Sequence, residues 1–418
     1  MKKKILWLCN HCFSDAPDSQ SGTWLGAMGK SLAANGEYSL FNITQTVGGC
    51  FEESRVSGIV QWTVPWQRKL DSKGLPEKKV VDWIVNKIHE IDPDIIHVWG
   101  TECYWGMITA MYQFNAKVLI DVQGIRFAIA KPYMGGLSPM EIIKCHGLKE
   151  LLRPSASILY KQRSFEKALK EERFILSNHD YVSFQSEWSK AHLNFLNPSA
   201  ALFRTYRMLR QEFYLASKWL PPKGAVRHIF VSTSADVPYK GLHVIFKALS
   251  ILKSQYGYGE NIILNVAGTI PPQGIRRGGY AKWLDGLIAK QGISRNIVFH
   301  GALDALGLIE LMHKCSVAVF PSCIESYGLA LAEAQYIGLP SVVSYAGAMP
   351  ELTGDGASAL YFQPGDDIVC AERINRILND AEQALRISNQ AALIAAKRND
   401  PERAVRRQKE IYRAVMDD

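Results

Sequence analysis

Glu325 and Glu333 lie on either side of a change in character within the stretch Val317 to Pro340. Val317-Ala-Val-Phe is a short apolar run, Pro-Ser-Cys-Ile-Glu325-Ser326-Tyr327-Gly328 is polar, and the residues from Leu329 onward have helical character until Gly338 and Pro340 stop them. The pattern predicts a strand, a loop and a helix beginning at about Tyr327. A helix start offers N–H groups without intrahelical partners and the positive end of a dipole, so a pyrophosphate fits at Ser326-Tyr327-Gly328-Leu329. Glu333 is set among Leu331, Ala332, Ala334 and Ile337, where a carboxylate is costly unless it meets donors. It would sit roughly 9 Å along the axis from the helix start, a distance that suits the hydroxyls of a ribose joined to phosphates held there. A structural salt bridge to a neighbouring helix is the alternative for Glu333.

The elements that must hold these residues follow from a regular alternation of short apolar runs with longer segments of helical period, the pattern of parallel sheets covered by helices. In the first half the runs are Ile5 to Leu8, Leu40 to Ile43, Ile59 to Val64, Ile95 to Val98, Lys117 to Val122 and Tyr181 to Phe184. In the second half they are His228 to Val231, Ile262 to Val266, Ile297 to Phe299, Val317 to Phe320, Ser341 to Val343 and Leu360 to Phe362. The chain has 418 residues, more than one core usually spans, with an ordinary folded-protein composition of 47% hydrophobic and 21% charged residues. Two α/β domains, each a doubly wound parallel sheet, are therefore expected. Trp219-Leu220-Pro221-Pro222-Lys223-Gly224 cannot continue a helix and precedes a new strand, which places a first domain over 1–222 and a second over 223–395. A last helix over about 396–418 is expected to pack back on the first domain. Ligands bind beyond the carboxyl ends of such strands, so chemistry is expected in the loops after Leu8, Val98, Val122, Val231, Val266 and Phe320, in a cleft between the domains.

Other features narrow the class. The start MKKKILWLCN is basic with a very short apolar stretch and reads as a first buried strand, not a signal peptide or a membrane span. The eight cysteines are scattered without a framework, as for thiols in a reducing compartment, and the cytoplasm is expected. Cys9-Asn10-His11-Cys12 has CxxC spacing with a histidine, but no second ligand pair follows, so an ordinary strand end is expected rather than a metal site. The net charge of +8 fits an anionic substrate, a nucleic acid or an acidic membrane surface equally well.

The second half resembles retaining glycosyltransferases of family 4. Glu325 and Glu333 form their E-x7-E motif, and Tyr239-Lys240-Gly241, Val266-Ala267-Gly268, Phe299-His300-Gly301, Gly347-Ala348-Met349-Pro350-Glu351 and Pro364-Gly365-Asp366 follow the family series in order. The resemblance implies the GT-B architecture, two Rossmann-like domains facing a central cleft. It implies that Glu325 contacts donor-sugar hydroxyls, that Ser326, Tyr327, Gly328 and Leu329 hold the distal phosphate, that Glu333 holds the ribose, and that Lys240 binds the diphosphate. Lys240 and Glu325 are thereby the catalytic candidates, and Gly268 and Gly301 join the donor-binding set. The family arginine some residues before that lysine is replaced by Ser234, which cannot offer a bidentate cation. Either Arg207, Arg276 or Arg277 reaches in, or donor chemistry is weakened; each of these arginines otherwise reads as a solvated surface charge.

Likeness in the first half is looser. Ser19-Gln20-Ser21-Gly22-Thr23 keeps one of two family glycines, and Gly22 is either a close approach to donor or acceptor or an ordinary helix start. Pro93-Asp-Ile-Ile-His97-Val-Trp99-Gly100 resembles a family strand that ends in the cleft. Gln123 stands where the family often has a histidine near the donor sugar; it can bind a hydroxyl but cannot titrate. Ser186 resembles a family serine and reads best as a helix N-cap.

Residues 126–173 carry ten Lys and Arg against five Glu, a segment suited to an anionic membrane with a lipid-linked acceptor, or else a pair of solvated helices. No nucleic-acid recognition motif accompanies the charge. The implied reaction is sugar transfer from a nucleotide-diphosphate donor to a glycan or lipid-linked hydroxyl. No cofactor is expected, and no metal, since no acidic metal loop ends a strand. The rivals are an epimerase or hydrolase on the same fold and a non-catalytic nucleotide-sugar-binding protein.

Overall fold

The structure, a computed structural model, describes residues 2–14, 23–67, 69–233, 237–268 and 277–418. Its strands fall into two sheets. The first contains β1 (Lys3–Leu8), β2 (Tyr38–Thr46), β3 (Glu52–Val56), β4 (Ile59–Pro65), β5 (Ile95–Trp99), β6 (Lys117–Asp121), β7 (Tyr181–Phe184) and β8 (Ala201–Arg204), in the order β3-β4-β2-β1-β5-β6-β7-β8. The second contains β9 (Arg227–Ser232), β10 (Ile262–Ala267), β11 (Ile297–Gly301), β12 (Val317–Phe320), β13 (Ser341–Ser344) and β14 (Leu360–Phe362), in the order β11-β10-β9-β12-β13-β14. The β3–β4 pair is antiparallel. The other pairs are parallel, which is the doubly wound α/β class read from the sequence. Helices cover both faces, so β5, β7, β12 and β13 are buried at every position and their sequences run apolar without strict alternation.

Twelve of these strands lie where the apolar runs place them. The two that do not are edge strands. β3 (Glu-Glu-Ser-Arg-Val) is exposed along most of its length and is held by its antiparallel partner rather than by burial. β8 is exposed to half-buried, so neither leaves an apolar run to read.

Two compact units divide the chain. Unit 1 comprises Met1–Arg126, Ala168–Arg210 and Asn399–Asp418; unit 2 comprises Phe127–Lys167 and Gln211–Arg398. In unit 1 the helix Pro401–Asp417 lies against the sheet: the Tyr412 hydroxyl accepts from Trp7 Nε1 at 2.9 Å and lies 2.8 Å from His97 Nδ1. Burial, and then the Arg207 charge, push His97 well below the usual histidine range, so the ring is neutral and the tyrosine donates to it. Lys409 and Arg413 of the same helix both reach Glu37 at 2.7 Å.

The boundaries differ from those expected at two places. Residues 127–167, expected within the first domain, belong to unit 2, because Tyr133, Leu137, Cys145 and Ile158 are buried in one apolar cluster with Leu242, Phe246, Tyr280 and Leu284. The chain passes to unit 2 at Gln211 rather than at Pro222. Trp219 fixes this stretch, its backbone N–H donating to Ile337 O at 2.6 Å and its ring N–H to Cys315 O at 2.8 Å.

Candidate functional site

In unit 2 the strand order reverses between β9 and β12, the topological switch point at which open parallel sheets bind ligands. A cavity of about 400 Å³ opens there. It is lined by the ends of β9 (Ser232, Thr233), β10 (Gly268) and β12 (Phe320, Ser322), by Lys240 and Glu325, and by Gly328, Leu329, Ala330, Leu331 and Met349.

Glycines bring these strands' loops together. Gly241 has φ +74°, and a Cβ there would lie 2.1 Å from Pro321 O. The turn carrying Lys240 can therefore lie against the loop after β12, where Cys323 N–H donates to Tyr239 O at 2.7 Å. Gly347 has φ +55°, and a Cβ there would lie 2.1 Å from Glu325 O. Its neighbour Ala348 N–H donates to that same oxygen at 2.9 Å. Glu325 is thus held through its backbone by a glycine turn following β13. Its side chain meets Lys240 Nζ at 2.6 Å. Burial works against the lysine's charge, but the Glu325 carboxylate outweighs it and holds Lys240 above the ordinary lysine value. The ammonium is therefore charged at neutral pH.

The helix after the loop spans Leu329–Ile337. It begins later than the sequence suggests, because Gly328 takes the left-handed conformation (φ +100°) and ends the helical run on its N-terminal side. Its N-cap residue, Gly328, has no side chain with which to cap it. Leu329, Ala330 and Leu331, whose N–H groups have no partner within the helix, all line the cavity. Glu333 is 4% exposed on this helix, one turn in and roughly 6 Å along the axis from Leu329. It already has an interaction partner and is not among the lining residues. Ser326, Tyr327 and Gly301 also stand outside the lining. Gly301 ends β11, where its carbonyl accepts from Gly268 N–H at 2.8 Å and so supports the Gly268 wall.

The structure therefore brings together Lys240, Gly268, Glu325, Gly328 and Leu329 of the expected set. Gly22, Ser234 and Arg276 lie outside the described residues. Arg277 is held bidentately by Asp285, at 2.6 and 2.5 Å, and is not among the lining residues. Arg207 is engaged within unit 1: it is 3% exposed, its Nη2 is 2.5 Å from Asp121 Oδ1, and its guanidinium lies 3.7 Å over the Trp24 ring. It is a buried structural cation, not a surface charge.

Gln123 belongs to unit 1, where it lines a pocket of about 280 Å³ with Asn10, His11, Trp24, Trp99, Glu102 and Cys103. Glu102 was not singled out from the sequence. Its carboxylate lies against Gly100 and Gly124, where a Cβ would come within 2.3 and 2.6 Å of its oxygens. Glu102 is exposed as a residue, while the protein packed around its carboxyl group raises its pKa; the amides of Glu102 and Gly124 and the charge of Arg126 oppose this, and Glu172 adds to it. The available signal was a glycine at each of two adjacent strand ends, Gly100 after β5 and Gly124 after β6. Ser186 caps the helix Glu187–Leu196 through Ser189 N–H. Cys9 is a buried strand end whose thiol is pushed up to about 12 by burial.

Several known proteins are similar to this chain. An MMP alpha-(1->4)-mannosyltransferase of Mycolicibacterium hassiacum is 30% identical over 171 residues, 40% of this chain and 39% of that protein. A D-inositol 3-phosphate glycosyltransferase of Corynebacterium urealyticum is 28% identical over 176 residues, 42% of this chain and 40% of that protein. The match thus spans about two fifths of each of these relatives. Among solved structures, sucrose-phosphate synthase of Thermosynechococcus elongatus shares the fold with a TM-score of 0.73 at 18% identity, covering 99% of both chains. Anabaena HepE, solved in complex with UDP and glucose, does so with a TM-score of 0.67 at 17% identity, covering 98% of both chains. These likenesses establish the GT-B fold. Residues 221–393, which contain every residue lining the unit 2 cavity, match the family model described as Glycosyl transferases group 1.

Proposed function

We propose that this chain is a retaining glycosyltransferase of family 4, moving a sugar from a nucleotide-diphosphate donor to a hydroxyl of a glycan or lipid-linked acceptor in polysaccharide or glycoconjugate biosynthesis. The observation that carries this reading is the switch-point cavity of unit 2, where a helix start with a glycine N-cap and a charged lysine converge on one space. That pairing suits a diphosphate: the first-turn N–H groups would bind its oxygens, and Lys240 would neutralise the charge that grows on it. The complex of Anabaena HepE with UDP and glucose supports the same use of the fold.

In the reaction the bond from the anomeric carbon to the diphosphate oxygen breaks, its electron pair going to the phosphate. The acceptor oxygen bonds to the same carbon from the same face, and its proton passes to the departing phosphate. Lys240 and the helix start act on the leaving group, so no divalent cation is required. Glu325, now paired with Lys240, would turn to the sugar hydroxyls once a diphosphate engages the lysine. Glu333, which lies outside the cavity lining and now has another partner, would exchange that partner to hold the ribose. The site of action is the cytoplasm, at the inner face of a membrane contacted through 126–173. Among the described residues no helix is long and apolar enough to cross it.

The test is donor consumption with and without acceptor. The nucleotide-sugar should be nearly inert alone and turn over when lipid-linked or oligosaccharide acceptors are added, with product of the donor's anomeric configuration. Equal consumption without acceptor would assign a hydrolase or epimerase. Binding with no turnover on any acceptor would assign a non-catalytic binding protein.

A further inference from the structure

The segment 127–167 has two sides of opposite character. Its inner side is locked into unit 2. His243, 2% exposed, has Nε2 2.9 Å from Gly135 O and Nδ1 2.9 Å from Tyr280 Oη. Lys247 pairs with Glu141 at 2.8 Å. The Glu150 carboxylate accepts from Gly147 N–H at 3.0 Å and Gly279 N–H at 2.9 Å. A Cβ on Gly279 would lie 1.8 Å from Cys145 O, so the two backbones are in close contact.

The outer side is apolar and exposed. On helix Pro139–Lys144, Met140 and Ile143 are 60% and 64% exposed. On helix Leu148–Leu152, Leu148, Leu151 and Leu152 are 72%, 74% and 77% exposed. Their spacing, i and i+3 on the first helix and i, i+3 and i+4 on the second, turns an apolar stripe of each outward. Such side chains singly are ordinary on a surface; five within 140–152 are not. Charge sorts the same way. Glu141 and Glu150 face inward as described, whereas Lys144 and Arg153, next to the exposed stripes, are exposed themselves. Across 127–167 seven Lys and Arg stand against three Glu.

We infer that the face formed by Met140, Ile143, Leu148, Leu151 and Leu152, flanked by Lys144 and Arg153, docks on an anionic lipid surface. Short helices with aliphatic side chains outward and bases beside them enter the boundary between headgroups and acyl chains, where the apolar groups leave water and the bases meet lipid phosphates. A second copy of this chain fits less well, because a two-fold contact would set the same bases against themselves. The inference deepens the membrane part of the proposed function and rests on that reading only for what the lipid supplies, a lipid-linked acceptor. It differs in place: the face is carried by the unit holding the Lys240 cavity, and the Gly135 turn beneath it packs on Pro238, two residues before that lysine, where a Cβ on Gly135 would lie 2.4 Å from Pro238 O.

The test is co-sedimentation of the full chain with vesicles of phosphatidylcholine alone and of phosphatidylcholine mixed with phosphatidylglycerol, alongside light scattering and titration with uridine diphosphate. Wild type should bind the anionic vesicles and release in high salt. Leu148→Glu, Leu151→Glu and Leu152→Glu together should lower that partition by at least about tenfold, and Lys144→Ala with Arg153→Ala by about tenfold, with thermal midpoint and nucleotide affinity unchanged. Equal sedimentation of wild type and both variants, or no sedimentation of wild type, overturns the inference. So does a wild-type dimer that the leucine variant breaks, which would assign the face to a second copy. Failure of wild type to bind the nucleotide would instead strike the donor-site reading and leave the vesicle result to decide this one.

Discussion

Lys240→Ala is expected to lower turnover at saturating donor by at least about a hundredfold while the fold survives. The lysine is held over the cavity by the Gly241 turn, and its ammonium is 2.6 Å from Glu325. Negative charge on the leaving diphosphate increases as the glycosidic bond breaks, so the attraction of a fixed cation is strongest in the transition state. Removing a donor so placed typically costs about 2.7–4 kcal/mol of barrier. Two features of this chain raise the expectation. Arg207 and Arg277 are both engaged with carboxylates, at Asp121 and Asp285, and neither is among the lining residues. Loss of the lysine also leaves Glu325 facing the diphosphate without its cation, a repulsion absent from the wild type. Lys240 is held above the ordinary lysine value by Glu325 and so stays charged throughout neutral pH. Assays near pH 7 therefore compare a charged lysine with none. A folded variant with unchanged turnover and only a raised donor KM would show that Lys240 binds ground and transition states alike.

Gly347→Ala is expected to be nearly as damaging, by about a hundredfold in turnover, although Gly347 is not among the residues lining the cavity. An added Cβ would lie 2.1 Å from Glu325 O and 3.0 Å from Glu325 N. Both neighbours are backbone, so relief requires moving either the Glu325 loop or the turn after β13. A displacement of about 1 Å in a positioning element is enough for such a loss. The positive φ adds about 1–2 kcal/mol of strain for any residue with a Cβ. Gly257→Ala separates the two effects, since Gly257 has φ +74° but nothing within 4 Å of its Cβ. That control should lose stability and keep turnover. If both variants lose turnover equally relative to their stability, the Glu325 loop is not positioned by Gly347.

Much of this arrangement was legible in the sequence, and the exceptions share physical causes. Buried parallel strands announce themselves as apolar runs because both faces are covered; β3 and β8, at edges, do not. The sequence places the helix start at Tyr327 because a glycine inside a first turn and one in the left-handed conformation read alike; at Gly328 an added Cβ would also lie 3.1 Å from Met349 Sδ. Arg207 was read as a candidate donor-site cation because its partner Asp121 is remote in sequence. The allegiance of 127–167 was misread for a similar reason. The segment follows the first domain's strands in order, but its apolar side chains complete a core built mainly from residues after 228. Glu102 was passed over because its environment is made by two separate strand ends, not by its own neighbours.

The central claim is that the unit 2 cavity holds a nucleoside diphosphate by the helix start and Lys240 without a metal ion, its ribose reaching past the lining to Glu333. It is tested most directly by calorimetric titration of wild type and Glu333→Gln with uridine diphosphate and the other nucleoside diphosphates in the presence of a chelator. One nucleotide should bind wild type in chelator, and Glu333→Gln should weaken it by about 1.5–3 kcal/mol through the loss of a charged acceptor for the ribose hydroxyls. Binding that vanishes in chelator and returns with magnesium or manganese, or an affinity that Glu333→Gln leaves unchanged, would contradict it.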